Sequence, residues 1–275
     1  MFNTIDSQPQ EGLLNDANLL HTLCVCCFRD GGSARNWIHT LVPKNRNGNL
    51  VKWSAGGPKE RVQRRRMQFI EQVDKHYDAI DFVVHCISST ESQISLFANA
   101  LFLQNLQNIG QELDTKGRNC LVFKVSDQKT ICMPALRAAK LIWIFFCIKY
   151  MREVHNLSGF IYSDWFSNDA AVGEDKALGV AMVNFLLSST GVGIQLSIAN
   201  SPESSEADLL SDWFAGWSNS SKGGTANSEL AAKFDALIER TPRKIDWITY
   251  QCNLDVVGLT VRCSRPPTAA AELKR

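Results

Sequence analysis

The sequence predicts an α/β protein in which a mixed sheet is flanked by helices. Strand-like apolar runs come first, amphipathic helical patterns follow, and the two alternate from residue 59 onward. The 275 residues are 45% hydrophobic and 21% charged, so the chain can bury a sizeable core. We expect a single domain over residues 21–265, with a polar segment (1–20) before it and a flexible tail (266–275) after it.

An antiparallel meander is predicted for the first part of the sheet. Residues 23–30 (LCVCCFRD) form an apolar run that ends at Asp30 and is followed by two glycines. Residues 37–43 and 50–54 also have strand character, and the NRNGN turn lies between them. These three short strands, joined by short connections, form the predicted meander.

The later elements follow from periodicity. A helix at 131–156 contains the run LIWIFFCI, which is too short to cross a bilayer, so a buried helix is predicted. The other predicted helices cover 59–77, 90–113, 174–191, 206–217 and 228–240, and the predicted strands cover 80–88, 159–166, 192–200, 246–252 and 256–263, with an ambiguous one at 118–125.

Composition narrows the function only weakly. With 29 Lys and Arg against 28 Asp and Glu, the net charge of +1 gives no global attraction to nucleic acid or membranes. Nine cysteines, an odd number and mostly within apolar runs, favour buried free thiols in a reducing compartment. Cys24, Cys26 and Cys27 lack zinc-site spacing. The polar N-terminus does not resemble a signal peptide, so we expect a soluble, cytoplasmic protein with no membrane partner.

Three aspartates at element ends are the candidate catalytic and metal-binding residues. Asp30 ends the first predicted strand, Asp164 lies near the end of strand 159–166, and Asp212 lies on the helix that follows strand 192–200. Mg²⁺ or Mn²⁺ needs several oxygen ligands, and a pair of such ions can hold the attacking and leaving oxygens of a phosphodiester. The alternatives are that Asp30 forms a turn, Asp164 caps a loop and Asp212 is solvated.

The order of these features resembles a ribonuclease-H-like family, the domain of unknown function numbered 3800, which occurs in bacterial and phage-defence genes. The resemblance spans residues 22–220 and rests on Asp30, LVKWS, FIYSD and ADLLSDWFAGW, in which residues 211–216 stand in the place of the family motif iQLADLIAGA. It implies a ribonuclease-H-like sheet and an acidic, cation-binding site. The family's Glu after the first Asp is absent, and Glu60 is the nearest candidate for a second acid, with Asp169 as an alternative.

A basic run at residues 59–66 is the candidate nucleic-acid-binding surface. Phosphate contacts by Lys and Arg give sequence-independent, salt-sensitive binding, and Trp53 could stack on a base. The alternatives are a solvated helix face paired with Glu71 or Asp74, and a tryptophan that belongs to the core. The candidate nucleic-acid-binding residues are Lys52, Lys59, Arg61, Arg64, Arg65 and Arg66.

Two functional hypotheses follow. The first is a metal-dependent nuclease that uses Mg²⁺ or Mn²⁺ and acts on DNA or RNA. The second is a catalytically degenerate subunit of the same fold, which acts through a protein partner in a defence or mobile-element system. A cysteine nucleophile is excluded for Cys86, because the adjacent His85 on the same strand points to the opposite face.

Overall fold

The computed structural model describes residues 1–8, 16–103, 109–113, 119–163, 176–198, 206, 208–255 and 260–264. The strands are β1 (Phe2–Gln8), β2 (Leu20–Phe28), β3 (Val83–Thr90), β4 (Ile109–Leu113), β5 (Asn119–Ser126), β6 (Lys129–Pro134), β7 (Gly159–Ser163), β8 (Ile194–Ile198), β9 (Ile245–Thr249), β10 (Gln251–Asp255) and β11 (Thr260–Ser264). The helices are α1 (Gly31–Leu41), α2 (Lys59–His76), α3 (Glu91–Leu103), α4 (Ala135–His155), α5 (Lys176–Ser189), α6 (Leu209–Lys222) and α7 (Ser228–Ile238).

A six-stranded mixed sheet organises these elements, in the order β8-β7-β1-β2-β3-β9. Strand β2 is antiparallel to both of its neighbours, whereas β7 runs parallel to β1, β8 parallel to β7, and β9 parallel to β3. Two small antiparallel sheets, β4-β5-β6 and β10-β11, accompany it. The predicted class, an α/β protein with a mixed sheet and flanking helices, is therefore confirmed.

The N-terminal segment is a strand of the main sheet, so the prediction of a separate polar segment is wrong for residues 2–8. Its polar side chains are buried because they have partners. Asn3 donates from Nδ2 to the carbonyl oxygens of Ser158 (2.8 Å) and Phe160 (3.2 Å), and the hydroxyl groups of Thr4 and Ser211 lie 2.6 Å apart. The polar composition of residues 2–8 therefore did not indicate a buried strand, because the partners of these polar side chains are far away in the sequence.

The predicted strand at 37–43 is also wrong, because helix α1 occupies most of this range. Asp30 caps the helix, with its side chain accepting a hydrogen bond from the backbone N–H of Ser33 at 2.8 Å. Ile38 and Leu41 then bury one face of the helix. The predicted strand at 50–54 contributes only Leu50, in an isolated bridge to Lys44.

Helices cover both faces of the sheet and form two hydrophobic clusters. Helices α3, α4 and α5 pack with Ile5 and Val25 on one face, which we call the α4 face. Helices α1, α2, α6 and α7 pack with Cys24 and Cys26 on the other, which we call the α6 face. Alternate residues of β2 thus enter different cores, as the pleat of a strand requires.

Helix α4 is buried, as predicted for the LIWIFFCI run, and no helix in the described part of the chain is long and apolar enough to span a membrane.

Cys24 and Cys86, which face each other on β2 and β3, form a disulfide, so the prediction of free thiols is wrong for this pair. The free cysteines among the described residues are Cys26, Cys27, Cys120, Cys132, Cys147 and Cys252.

Candidate functional site

Helix α6 carries the motif that the sequence singled out, and it packs against the α6 face of the sheet. Trp213 and Trp217 are 1% exposed or less, so both belong to the core. Asp212 lies on the same helix and is fully buried. A fully buried carboxyl group is costly unless other groups hydrogen-bond to it, so its partners define the site.

One partner of Asp212 is Asp6, at the centre of β1. The Thr4–Ser211 hydrogen bond holds α6 against β1, and beside it the side chain of Asp6 contacts that of Asp212, the residue that follows Ser211. Both residues are 0% exposed. Two ionised carboxyl groups in contact repel each other, so the contact is favourable only when one of the two carries a proton.

Three further groups approach Asp212. Gln8 donates from Nε2 to Oδ1 at 3.0 Å, and the backbone N–H of Trp53 donates to Oδ2 at 2.6 Å. The positive charge of Lys52 also favours the carboxylate. The LVKWS segment is held here because the indole N–H of Trp213 donates to the carbonyl oxygen of Val51 at 2.7 Å.

Burial raises the pKa of Asp212 above its ordinary value. The hydrogen bonds from Trp53, Asp6 and Gln8 and the charge of Lys52 act in the opposite direction, but burial is the larger effect. Two carboxyl groups held in contact are suitable ligands for a hard divalent cation such as Mg²⁺ or Mn²⁺. Such an ion would require both carboxyl groups to be ionised, because ligands bind in the deprotonated form.

Asp30 is not part of this pair. In the β1–β2 register, Asp6 pairs with Cys24 and Phe2 pairs with Phe28, so Asp30 lies beyond the opposite end of β1, more than roughly 13 Å along the strands. Its side chain is 56% exposed, and its pKa is lowered by the backbone N–H of Ser33 and by Arg29. Asp30 is therefore a helix cap, which agrees with the alternative that it forms a turn rather than binds a metal.

The other predicted acids do not join the pair within the described structure. Glu60 is an exposed residue in the first turn of α2. Asp164 and Asp169 lie outside the described residues.

The predicted basic surface divides into two groups. Arg65 and Arg66 serve the fold: Arg65 donates from Nη2 to the carbonyl oxygen of Ala55 at 2.7 Å, and the Arg66 guanidinium lies 4.2 Å from the centre of the Trp53 ring. Trp53 itself is buried, so it belongs to the core. The basic residues that remain exposed on this part of α2 are Lys59, Arg61 and Arg64. Asp74, a proposed partner of the run, instead pairs with Arg240 at 3.0 Å.

The sequence interpretation missed Asp6 and a second cluster, formed by His85, His155 and Asp246. A local signal existed for Asp6, because apolar Phe2 and Ile5 flank a short strand-like stretch, but its polar neighbours outweighed it. No sequence spacing signals the second cluster, whose members come from β3, α4 and β9.

Comparison with known proteins identifies no relative: no family model, no curated protein and no solved structure matches this chain.

Proposed function

We propose that the protein is a divalent-metal-dependent nuclease of the ribonuclease-H-like type, whose acidic site contains Asp6 and Asp212. The observation that carries the proposal is the buried contact between these two carboxyl groups. Such a pair costs stability, because the fold must bury two acids next to each other. Sites that bind cations or perform catalysis are where this cost is commonly retained.

Strand order supports the ribonuclease-H-like assignment. Three antiparallel strands (β1, β2 and β3) are followed by β7, parallel to β1, and β8, parallel to β7, and the helix after β8 carries the final acid. The features that match the resemblance are an acid on the first strand, the later parallel strands and the acid on the final helix, whereas β1 and β3 replace the predicted strands at 37–43 and 50–54. The first strand is β1 rather than β2, so the first acid of the site becomes Asp6 in place of Asp30.

Asp164 enters the proposal as a third acid on its position in the chain. Strand β7 lies beside β1 and pairs Tyr162 with Thr4. Asp164 follows Tyr162 by two residues, just as Asp6 follows Thr4. The proposed site therefore includes Asp164 as a third ligand. Glu60 is left out of it, and no other acid takes its place.

The proposed roles follow from the contacts. Asp6, Asp164 and Asp212 would hold Mg²⁺ or Mn²⁺, which supplies Lewis-acid activation of water and stabilises the leaving oxygen. Trp53 and Gln8 orient the Asp212 carboxylate through their hydrogen bonds. The exposed Lys59, Arg61 and Arg64 on α2 would contact the phosphates of DNA or RNA, and these contacts should weaken with salt.

Removing either acid should abolish cleavage. We expect Asp6→Asn and Asp212→Asn each to reduce Mg²⁺- or Mn²⁺-dependent cleavage by at least about 100-fold, because loss of a ligand should exceed the effect of losing a group that only orients one. The assay is a panel of single- and double-stranded DNA and RNA, each with Mg²⁺, Mn²⁺ or EDTA.

Asp30→Asn is the matched control and should retain full activity, because Asp30 caps α1 far from the pair. Asp164→Asn should behave as the two ligand variants do. Undiminished cleavage by Asp212→Asn would rule out the proposed site.

A second candidate function is the catalytically inactive subunit that acts through a protein partner. The observation that favours it is that Gln8 and the Trp53 backbone N–H each donate a hydrogen bond to an oxygen of Asp212, so groups of the protein itself satisfy this carboxyl group. In that case no substrate is cleaved under any metal condition, and Mg²⁺ or Mn²⁺ leaves the melting temperature unchanged.

A further inference from the structure

Two histidines and an aspartate meet on the α4 face of the sheet. His85 on β3 and Asp246 on β9 are direct partners in parallel register, so their side chains project to the same face. His155, in the last turn of α4, lies over them, with its ring centre 4.2 Å from that of His85. Three separate elements therefore fix the three side chains.

Their potential ligand atoms converge. The Asp246 Oδ2 atom lies 3.7 Å from His85 Nδ1 and 4.0 Å from His155 Nε2, and one ligand atom from each residue lies within 4.8 Å of the others. The side chains of His85 and Asp246 are 9% exposed and that of His155 is 19% exposed. Among the described residues, the buried His85 Nδ1 has no hydrogen-bond partner.

We propose that His85, His155 and Asp246 form a Zn²⁺-binding site. Two imidazole nitrogens and one carboxylate oxygen are a usual ligand set for zinc. Bonds of about 2.0–2.1 Å in a tetrahedron place ligand atoms roughly 3.4 Å apart. The Asp246 oxygen lies 3.7 and 4.0 Å from the two histidine nitrogens and all the ligand atoms lie within 4.8 Å of one another, so side-chain rotations would be needed to close the site around an ion.

The surroundings leave a coordination position for an exogenous ligand. Arg243 approaches the other oxygen of Asp246, Oδ1, at 3.6 Å, so Oδ2 is the oxygen that faces both histidines. Both histidines line a pocket of about 300 Å³, together with Met151 and Leu157. Three protein ligands beside a pocket are typical of zinc sites that hold a water or a substrate oxygen in the fourth position.

This site is separate from the acidic pair. His85 pairs across the sheet with Val25, whose side chain belongs to the α4 face, whereas Asp6 pairs with Cys24, which belongs to the α6 face. The sheet lies between the two sites. The zinc proposal therefore does not depend on the proposed nuclease activity, and the two can be tested separately.

Zinc stoichiometry tests the proposal directly. The full chain is stripped with a chelator, equilibrated with Zn²⁺ and dialysed, and zinc per chain is measured by mass spectrometry together with affinity in a competition assay. We expect one tightly bound Zn²⁺ in the unmodified protein. His155→Ala and His85→Ala should each weaken the affinity at least about 100-fold.

His39→Ala is the matched control, because His39 is an exposed histidine of α1 and its removal should change nothing. Asp212→Asn should also retain zinc, which separates this test from the nuclease assay. The His85→Ala protein could lose zinc because it misfolds, so His155→Gln provides a second variant, at a partly exposed helix end. It should lose zinc and keep the circular dichroism spectrum of the unmodified protein.

Co²⁺ substitution identifies the ligand type. With His and Asp ligands, the Co²⁺ protein should show visible d–d bands without a sulfur-to-metal charge-transfer band. A strong charge-transfer band, or zinc that persists in both His155→Ala and His155→Gln, would show that cysteines or another site bind the ion and would overturn the assignment.

Discussion

Asp212 is a residue whose environment opposes its charge. It is fully buried, it contacts another acid, Asp6, and burial raises its pKa. A carboxyl group whose pKa is higher in the folded than in the unfolded state stabilises the fold at low pH. That contribution is lost as pH rises through the folded pKa. At neutral pH the unmodified pair should therefore cost stability.

Asp212→Asn should raise the free energy of unfolding near pH 7, because asparagine removes the buried charge while its amide can donate to Asp6 and accept from Trp53. The gain should shrink as pH falls below the ordinary range of an aspartate, where the native side chain is neutral in both states. Urea unfolding of both proteins at several pH values between 3 and 8 measures the difference.

Asp30→Asn serves as the comparison, since the pKa of Asp30 is lowered rather than raised and its removal should give no such gain. If Asp212→Asn were less stable than the parent at pH 7, the carboxylate would be a structural group and not a strained functional one.

Helix α6 shows how one small residue positions the site. A Cβ atom on Gly216 would overlap the Cδ1 and Cγ atoms of Trp53. The absence of a side chain lets the Trp53 ring lie against the helix, and this places the Trp53 backbone N–H on Asp212. Glycine at this position therefore acts on Asp212 through Trp53.

Gly216→Ala should destabilise the protein by about 1–3 kcal/mol, because the added methyl group overpacks a buried contact. In an exposed helix the same change would be stabilising by up to about 1 kcal/mol, so the sign of the effect is diagnostic. Denaturant unfolding gives the energy, and tryptophan fluorescence reports movement of Trp53.

Gly193→Ala provides the control, since no atom lies within 4 Å of a Cβ built there. A Gly216→Ala protein as stable as the parent would show that Trp53 moves without cost and does not hold the acid in place.

Elements with strong periodicity were predictable from sequence, and those defined by long-range contacts were not. The run LIWIFFCI predicted α4, and the periodic pattern over residues 206–217 predicted α6, which carries Asp212. Helix α1 was missed because two glycines suggested a turn, although they directly follow the Asp30 cap. Asp212 was singled out from its motif, whereas its contact with Asp6 could be found only by recognising β1 as a strand of the main sheet.

Strand β1 joins the antiparallel and the parallel parts of the sheet. It pairs with β2 on one side and with β7 on the other, and Ile5 at its centre is 0% exposed. Because β1 is hydrogen-bonded to a strand on each side, its buried side chains pack with residues from both the antiparallel and the parallel part of the sheet. We therefore expect the main sheet to unfold as one unit rather than as two halves.

Ile5→Ala should lower the free energy of unfolding by about 2–5 kcal/mol, because it leaves a cavity at the centre of the sheet. The change should lower the denaturation midpoint measured by circular dichroism and by fluorescence equally. Val154→Ala, at a position that is 52% exposed, should have little effect. Two separate transitions in either protein would contradict a single cooperative sheet.

The pairing of β1 with β7 has a consequence for biosynthesis. Asn3 and Thr4 are translated 158 residues before their partners Ile161 and Tyr162. The nascent chain can form the β1–β2 hairpin early, but the other side of β1 stays unpaired until β7 has been translated. We expect chaperones that shield exposed edges during translation to increase the yield of folded protein.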